Sequence, residues 1–189
     1  MKHPKPWLGL VLAASLGMGT LLHKAAEAVQ FPDGTVHFTH PPRLVKAVAT
    51  RFVAFDINPT YYFTLTIPED ANEPLQRITI SQQKGEISDQ RVDYRLEQSR
   101  AFEGTFRRRG PTLPLGEVSY DAETRTASIN FDPPVLLPGK TFSVGLKVVR
   151  NPFLGGVYLY GVTAYPEGEV SSGQFIGFGR ITIFDGGSR

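Results

Sequence analysis

Two histidines, His37 and His40, are the side chains of this sequence best suited to bind a metal ion. Imidazole nitrogens are common ligands of copper and zinc, and Asp33 could add a carboxylate oxygen. Side chains three positions apart on a strand point to opposite faces, so both rings reach one metal only if the chain turns at the prolines 41–42. The sequence leaves two interpretations open: a small metal site, or two polar residues beside a turn.

Three consecutive arginines, Arg107, Arg108 and Arg109, form the densest positive segment of the chain, and Arg100 lies just before them. The planar guanidinium group binds carboxylates, sulfates and phosphates through paired hydrogen bonds. This pattern indicates a surface for an acidic glycan or an anionic protein. The alternative is a solvated loop that closes at residues 110–111.

Tyrosines are concentrated near a pair of glycines late in the chain, where Tyr158 and Tyr160 follow residues 155–156 and Phe153 precedes them. Exposed aromatic rings can stack against a sugar ring, which makes this segment a candidate ligand surface. The alternative is that the rings pack in a core and keep only their hydroxyls at its edge.

Catalytic chemistry has little support in the sequence. The chain contains no cysteine, which excludes thiol catalysis, disulfides and thiolate metal sites. No serine lies in a Gly-x-Ser-x-Gly pattern, and His37 and His40 are the only imidazoles after residue 28. We therefore expect a protein that is not an enzyme, with no catalytic residue and no cofactor.

The first 28 residues have the three parts of a secretory signal peptide. Lys2 and Lys5 give a positive start, residues 7–22 carry no charge, and an A-x-A cleavage site ends at Ala28. A transmembrane anchor needs roughly 20 apolar residues, and this run is shorter and interrupted by glycines. We expect cleavage before Val29, export to the periplasm or another extracytoplasmic compartment, and no membrane span after cleavage.

The charge of the chain changes when the leader is removed. The whole sequence has a formal net charge of +2, and the leader holds Lys2, Lys5 and Lys24 against Glu27 alone. The mature chain is therefore formally neutral. A neutral chain lacks the basic excess that general nucleic-acid binding requires, so we expect no nucleic-acid partner.

Strand patterns recur through the rest of the sequence. Between residues 61 and 67, large apolar side chains occupy the odd positions while Thr64 and Thr66 face the other way, and residues 142–148 show the same alternation. Short strands separated by proline and glycine turns are typical of a sandwich. We predict an all-β, immunoglobulin-like antiparallel β-sandwich that forms one domain over residues 29–189.

Three local predictions refine this picture. Residues 157–165 and 175–184 are apolar on both faces, which indicates central strands. Residues 86–102 are expected to form a strand. The sequence predicts at most a turn or two of helix, near residues 70–75.

Several phrases, in order along the chain, carry a resemblance to a known family: residues 38–42 (FTHPP), 60–65 (TYYFTL), 148–152 (VVRNP) and 155–159 (GGVYL). As a series they resemble the cyanobacterial exported family known as domain of unknown function 2808. The resemblance implies a cyanobacterial source and an extracytoplasmic location, and it brings no catalytic residues. A fainter resemblance, over residues 62–80, is to immunoglobulin-like periplasmic copper-handling proteins; those place a histidine at the mature N-terminus, where this chain has Val29.

These observations predict an exported, non-catalytic binding or interaction module of the cell envelope, with an envelope protein or an acidic glycan as partner. The candidate surface comprises Arg107, Arg108, Arg109, Tyr158 and Tyr160. The alternative is a periplasmic copper-binding, metallochaperone-like domain that uses His37 and His40.

Overall fold

A computed structural model describes residues 29–30, 34–85 and 90–186. The predicted leader, Asp33 and the start of the strand expected at residues 86–102 lie outside these ranges. Within the described ranges, no helix combines the length and the hydropathy that crossing a membrane requires. A chain that begins at Val29 contains every strand described below.

In these described ranges strands account for nearly all of the regular structure, and one short 3-10 helix spans Leu96–Gln98. The strands are β1 (Val29–Gln30), β2 (Val36–His37), β3 (Arg43–Ala49), β4 (Thr60–Thr66), β5 (Leu75–Gln82), β6 (Arg100–Thr105), β7 (Arg108–Leu113), β8 (Leu115–Asp121), β9 (Thr126–Val135), β10 (Thr141–Lys147), β11 (Gly156–Pro166) and β12 (Gln174–Ile183).

Ten of these strands form two five-stranded antiparallel sheets, which confirms the predicted immunoglobulin-like antiparallel sandwich. The first sheet has the order β3-β4-β10-β6-β7 and the second has the order β12-β11-β5-β9-β8. Strands β1 and β2 form a separate antiparallel pair. From β3 to β12 the chain crosses between the two sheets five times, and the shortest crossing is at Pro114, between β7 and β8.

The alternation read from the sequence sets the inner face of the first sheet. Phe63 on β4 lies opposite Val144 on β10, and both side chains are fully buried between the sheets. Their neighbours Thr64 and Ser143 face outward and bond to each other through their hydroxyls at 2.9 Å. Because side chains alternate along a strand, one face of each strand fills the core and the other forms an outer surface.

The two strands that are apolar on both faces have different places in the second sheet. Strand β11 is central, as predicted, because it pairs with both β5 and β12. The prediction was wrong for β12, which is an edge strand. Its apolar inner side packs against β3 of the first sheet, where a Cβ at Gly179 would lie only 2.7 Å from the Cβ of Ala47.

Two local predictions were wrong, one in position and one in type. The limit of a turn or two of helix holds for the described residues, but the one turn is at Leu96–Gln98. None forms at residues 70–75, because Pro74 restricts the residue before it and β5 starts directly afterwards. The described part of residues 86–102 is not one strand: Tyr94 makes a single bridge to Val148, the 3-10 helix follows, and β6 starts only at Arg100.

The core contains several tyrosines, of which Tyr61 and Tyr160 are 1% and 0% exposed with ring centroids 5.8 Å apart. Burial, reinforced by the neighbouring Tyr158, raises the pKa of Tyr61. Burial, reinforced by the neighbouring Tyr94 and Tyr61, raises the pKa of Tyr160. Both phenols therefore stay protonated in the folded state at a pH where they ionise in the unfolded chain.

This difference predicts alkaline destabilisation. Above about pH 10 the unfolded chain releases phenol protons that the folded state keeps, so the free energy of unfolding falls by about 1.4 kcal/mol per pH unit for each tyrosine. Denaturant titrations on either side of that pH measure the slope, and Tyr160→Phe should make it shallower. An unfolding free energy that does not change over this range would contradict the prediction.

Candidate anion-binding face

The outer face of the first sheet carries an aromatic side chain where its neighbours are polar. Tyr62 lies between Tyr61 and Phe63 on β4, so its ring points away from the core. It nevertheless has only 1% of its surface exposed. Other side chains on this face must therefore cover it.

Gly145 on β10 provides the space for this ring. The two residues are paired in register, and a Cβ at Gly145 would lie 2.5 Å from Cε1 of Tyr62. The Tyr62 ring is stacked on Phe106, with centroids 5.7 Å apart and an interplanar angle of 17°, and meets Phe102 edge-on at 5.8 Å. The glycine lets the ring lie flat against the sheet, and the two phenylalanines hold it there.

Two arginines lie over this aromatic group. The Arg109 guanidinium is 5.6 Å from the Tyr62 ring centroid and 5.2 Å from that of Phe102, and its Nη2 donates a 3.1 Å hydrogen bond to the Tyr62 hydroxyl. The Arg100 guanidinium is 6.0 Å from the same Tyr62 ring. Cation–π attraction and this hydrogen bond fix the guanidinium groups while leaving other N–H donors directed at solvent.

The arginine triplet is thus divided by the structure. Arg109 joins Arg100 over Tyr62, and the Arg107 guanidinium lies 5.5 Å from the ring centroid of Phe106. Arg108 is exposed, and its backbone N–H donates to the Thr105 hydroxyl at 3.3 Å. The triplet forms the turn and first residues of the β6–β7 hairpin.

We call Tyr62, Phe102, Phe106, Arg100 and Arg109 the arginine–aromatic face. No carboxylate of the described residues forms an ion pair with either arginine; Glu103, nearby on β6, pairs instead with Lys140 at 3.1 Å. Unpaired guanidinium groups on a rigid platform are suited to carboxylate or sulfate groups.

Positive charge continues along this face to Lys147 at the end of β10. Its Nζ donates a 2.6 Å hydrogen bond to the carbonyl oxygen of Asn58. Desolvation lowers the pKa of Lys147, and the positive charges of Arg100, Arg51 and Arg95 lower it further. Lys147 therefore lies among cations, which is the electrostatic environment that attracts an anion.

The predicted tyrosine platform is wrong. Tyr158 and Tyr160 are 2% and 0% exposed, because both rings point from β11 into the core. The Tyr158 hydroxyl donates to the carbonyl oxygen of Leu154 at 2.7 Å, and the Tyr160 ring meets Phe63 edge-on at 5.7 Å. A strand that is apolar on both faces gave no sign of which rings face the core.

The two histidines lie near the start of the described chain. His37 belongs to β2, whereas His40 follows it and places Nε2 3.2 Å from a carboxylate oxygen of Asp70. The described residues contain no group of three or more His, Cys, Asp or Glu side chains that could hold a metal ion. Metal binding at His37 and His40 stays a prediction.

Sequence reasoning missed the aromatic half of the site. The alternation in residues 61–67 and 142–148 places Tyr62 and Gly145 on the outward faces of their strands, but it does not show that the two residues meet. A glycine in a strand interior signals close approach of another group. The partner in this case could not be named, because Tyr62 and Gly145 are brought together only by strand pairing.

Fold and site together define a class: an antiparallel β-sandwich with a basic, aromatic-backed outer face. A family comparison matches residues 35–183 to the family described as "Protein of unknown function (DUF2808)". The chain belongs to this family, which confirms the resemblance carried by the ordered phrases. No curated protein matches the chain in sequence.

Solved structures of similar shape are bacterial pilin and adhesin domains. A C-terminal fragment of the major pilin GBS80 of Streptococcus agalactiae aligns with a TM-score of 0.48 and 10% identity, over 75% of this chain and 56% of that one. The collagen-binding domain of a Staphylococcus aureus adhesin aligns with a TM-score of 0.36 and 11% identity, over 74% of this chain and 97% of that one. The collagen-binding subdomain ACE19 of Enterococcus faecalis aligns with a TM-score of 0.40 and 8% identity, over 73% of this chain and 94% of that one.

Proposed function

We propose that this chain is an exported, non-catalytic binding module of the cell envelope that takes an acidic glycan on its arginine–aromatic face. The observation that supports this most strongly is the pair Arg100 and Arg109, held over Tyr62 without a carboxylate partner among the described residues. The role needs neither a cofactor nor a catalytic residue. Its extracytoplasmic setting rests on the predicted leader.

The geometry of the face favours an extended polyanion. A sheet presents a broad surface, and the half-buried hydroxyl pair Thr66–Thr141 continues it along β4 and β10. A polysaccharide could place one sulfate or carboxylate at each guanidinium while its sugar hydroxyls meet this polar surface. Because the arginines are already held in place, binding loses less side-chain entropy than it would on a mobile loop.

The test uses heparin as a sulfated probe and neutral dextran as its uncharged counterpart. We expect the Arg100→Gln/Arg109→Gln variant to bind heparin at least about tenfold more weakly, since charge-assisted hydrogen bonds each contribute about 1.5–3 kcal/mol. Wild-type binding should weaken as salt increases, because exposed charges are screened. Titration calorimetry on the chain from Val29 measures both effects.

The matched control removes the same charge elsewhere. Lys84→Gln/Arg180→Gln neutralises two exposed cations associated with the second sheet and should leave heparin affinity within about twofold of wild type, as expected for surface charges remote from the contact. Equal losses in the two double variants would indicate a general charge effect and would reject the proposed site. Equal binding of dextran and heparin would reject the anionic ligand.

A further inference from the structure

Lys147 extends the arginine–aromatic face by one row along the sheet. On β10, Gly145 and Lys147 both occupy outward positions, and Lys147 pairs with Thr60 on β4, two residues before Tyr62. A strand rises about 3.4 Å per residue, so Lys147 lies about 7 Å along β10 from the glycine beneath the Tyr62 ring. A group bound at Lys147 is therefore a close neighbour of a group bound over Tyr62.

The Lys147 side chain is held in place and keeps free donors. It is half-buried, and its Nζ donates a 2.6 Å hydrogen bond to the carbonyl oxygen of Asn58. The backbone carbonyl oxygen of Lys147 accepts the N–H of Arg95 at 2.8 Å, which ties the segment before the 3-10 helix to the end of β10. An ammonium group has three N–H donors, so the contact with Asn58 leaves two for a ligand.

Three guanidinium groups from separate segments lie near this ammonium group. Arg51 follows β3, Arg95 precedes the 3-10 helix and Arg100 begins β6. Burial, and then the charges of these arginines, hold the pKa of Lys147 below its ordinary value. Repulsion between like charges disfavours this arrangement, whereas an anion bound among the four groups is attracted by all of them.

The carboxylates of the adjoining segments do not neutralise this cluster. Asp56 and Glu97 each accept a hydrogen bond from a residue within three positions of the sequence, and Asp93 lines a cavity that Arg150 also lines. In the described part of the chain, none of the three forms an ion pair with Lys147 or with its arginine neighbours. Lys147 therefore lies in a positive field that a bound anion can balance.

We propose that Lys147 is the centre of a second anion subsite, so that the face binds an acidic glycan through two charged groups on neighbouring sugar units. One acidic group lies against Arg100 and Arg109 over the aromatic rings. The next accepts hydrogen bonds from Lys147, with Arg51 and Arg95 beside it.

This inference rests on the proposed function and deepens it, because it defines the class of ligand. A glycan with a single acidic group fills one subsite only, whereas a polyanion with closely spaced sulfates or carboxylates fills both. The two subsites also set the direction of the ligand, which runs along β10 from Gly145 toward Lys147.

The test compares two sulfated probes that differ in their number of acidic groups: a heparin tetrasaccharide and glucose 6-sulfate. We expect Lys147→Gln on the chain from Val29 to bind the tetrasaccharide at least about fivefold more weakly, since it loses a charge-assisted hydrogen bond. The same variant should bind glucose 6-sulfate within about twofold of wild type, because the arginine pair is intact. Chemical-shift titrations measure both affinities, and thermal unfolding checks that each variant is folded.

Two control variants separate the subsite from a general effect of charge. Lys84→Gln removes an exposed lysine that follows β5 and should bind the tetrasaccharide within about twofold of wild type. Lys147→Arg keeps the positive charge and should keep most of the affinity. Wild-type affinity in Lys147→Gln, equal losses for the two probes, or a loss in Lys147→Arg as large as in Lys147→Gln would overturn the subsite.

The ionisation of Lys147 provides a second measurement. A bound anion favours the charged ammonium, so saturating tetrasaccharide should raise the pKa of Lys147, followed by NMR of lysine labelled at Cε. A pKa that does not change at saturation would overturn the subsite. If Arg100→Gln/Arg109→Gln loses heparin while Lys147→Gln does not, only this inference fails; if the wild-type chain does not bind heparin, the proposed function fails as well.

Discussion

Changing Asn151 to aspartate is expected to lower the free energy of unfolding by about 3–5 kcal/mol, a large fraction of the stability of a typical domain. The Asn151 side chain is 3% exposed. Its Oδ1 accepts a 2.8 Å hydrogen bond from the Tyr61 hydroxyl, and its Nδ2 donates to the carbonyl oxygens of Arg51 at 3.1 Å and Val53 at 2.9 Å. Aspartate keeps the acceptor but places a buried negative charge against two carbonyl oxygens.

The loss of unfolding free energy in Asn151→Asp should become smaller as the pH falls. A carboxyl that is buried against carbonyl oxygens has a raised pKa in the folded state, so protonation stabilises the folded form and gives back one O–H donor. Asn130→Asp is the control. The Nδ2 of Asn130 donates a 3.0 Å hydrogen bond to the backbone carbonyl oxygen of Glu117 in an exposed setting, so this variant should lose about 0.5 kcal/mol of stability or less. Equal losses at both positions, measured by denaturant titration, would contradict the structural role of Asn151.

Placing a methyl group at Gly145 is expected to disturb the arginine–aromatic face from beneath. The new Cβ would lie 2.5 Å from one ring carbon of Tyr62 and 2.9 Å from the next, so the ring must leave its position against the sheet. Gly145→Ala should lower the unfolding free energy by about 1–3 kcal/mol, the usual effect of overpacking. It should also weaken heparin binding, because Arg109 loses the hydroxyl that orients it.

A double-mutant cycle separates this effect from a general defect. In a Tyr62→Ala background the nearest remaining contact of the Gly145 position is the Thr60 methyl at 3.2 Å, so adding Gly145→Ala should lower stability by less than about 1 kcal/mol. Thermal and denaturant unfolding of the four proteins give the coupling energy. Additive effects of the two substitutions would show that the ring and the glycine do not share the space inferred.

The sandwich could be predicted because the alternation of apolar and polar side chains within each strand is a local feature of the sequence. The apolar side chains of β4 and β10 recur with the period of a strand, and that period alone places Phe63 and Val144 on one buried face. The central position of β11 followed from a different local signal, apolar residues on both of its faces. The edge position of β12 did not, because its apolar inner side is explained by contact with β3, which lies far away in sequence.

The site was predictable only in part, for a physical reason. A run of arginines is visible in the sequence, but the contact that orients Arg109 is made to Tyr62, 47 residues earlier. Burial of Tyr158 and Tyr160 likewise depends on which face of β11 meets the other sheet. Composition indicates that such side chains are available, whereas strand pairing determines which are exposed and which partners they meet.

The arginine–aromatic face can be tested as the binding site by locating the bound glycan on the folded protein. Amide chemical shifts of the labelled chain from Val29 can be recorded as a heparin oligosaccharide is added. The proposal predicts perturbations centred on Tyr62, Phe102 and Gly145, with smaller changes on the second sheet. Perturbations confined to the outer surface of the second sheet, or none at all at saturating oligosaccharide, would contradict it.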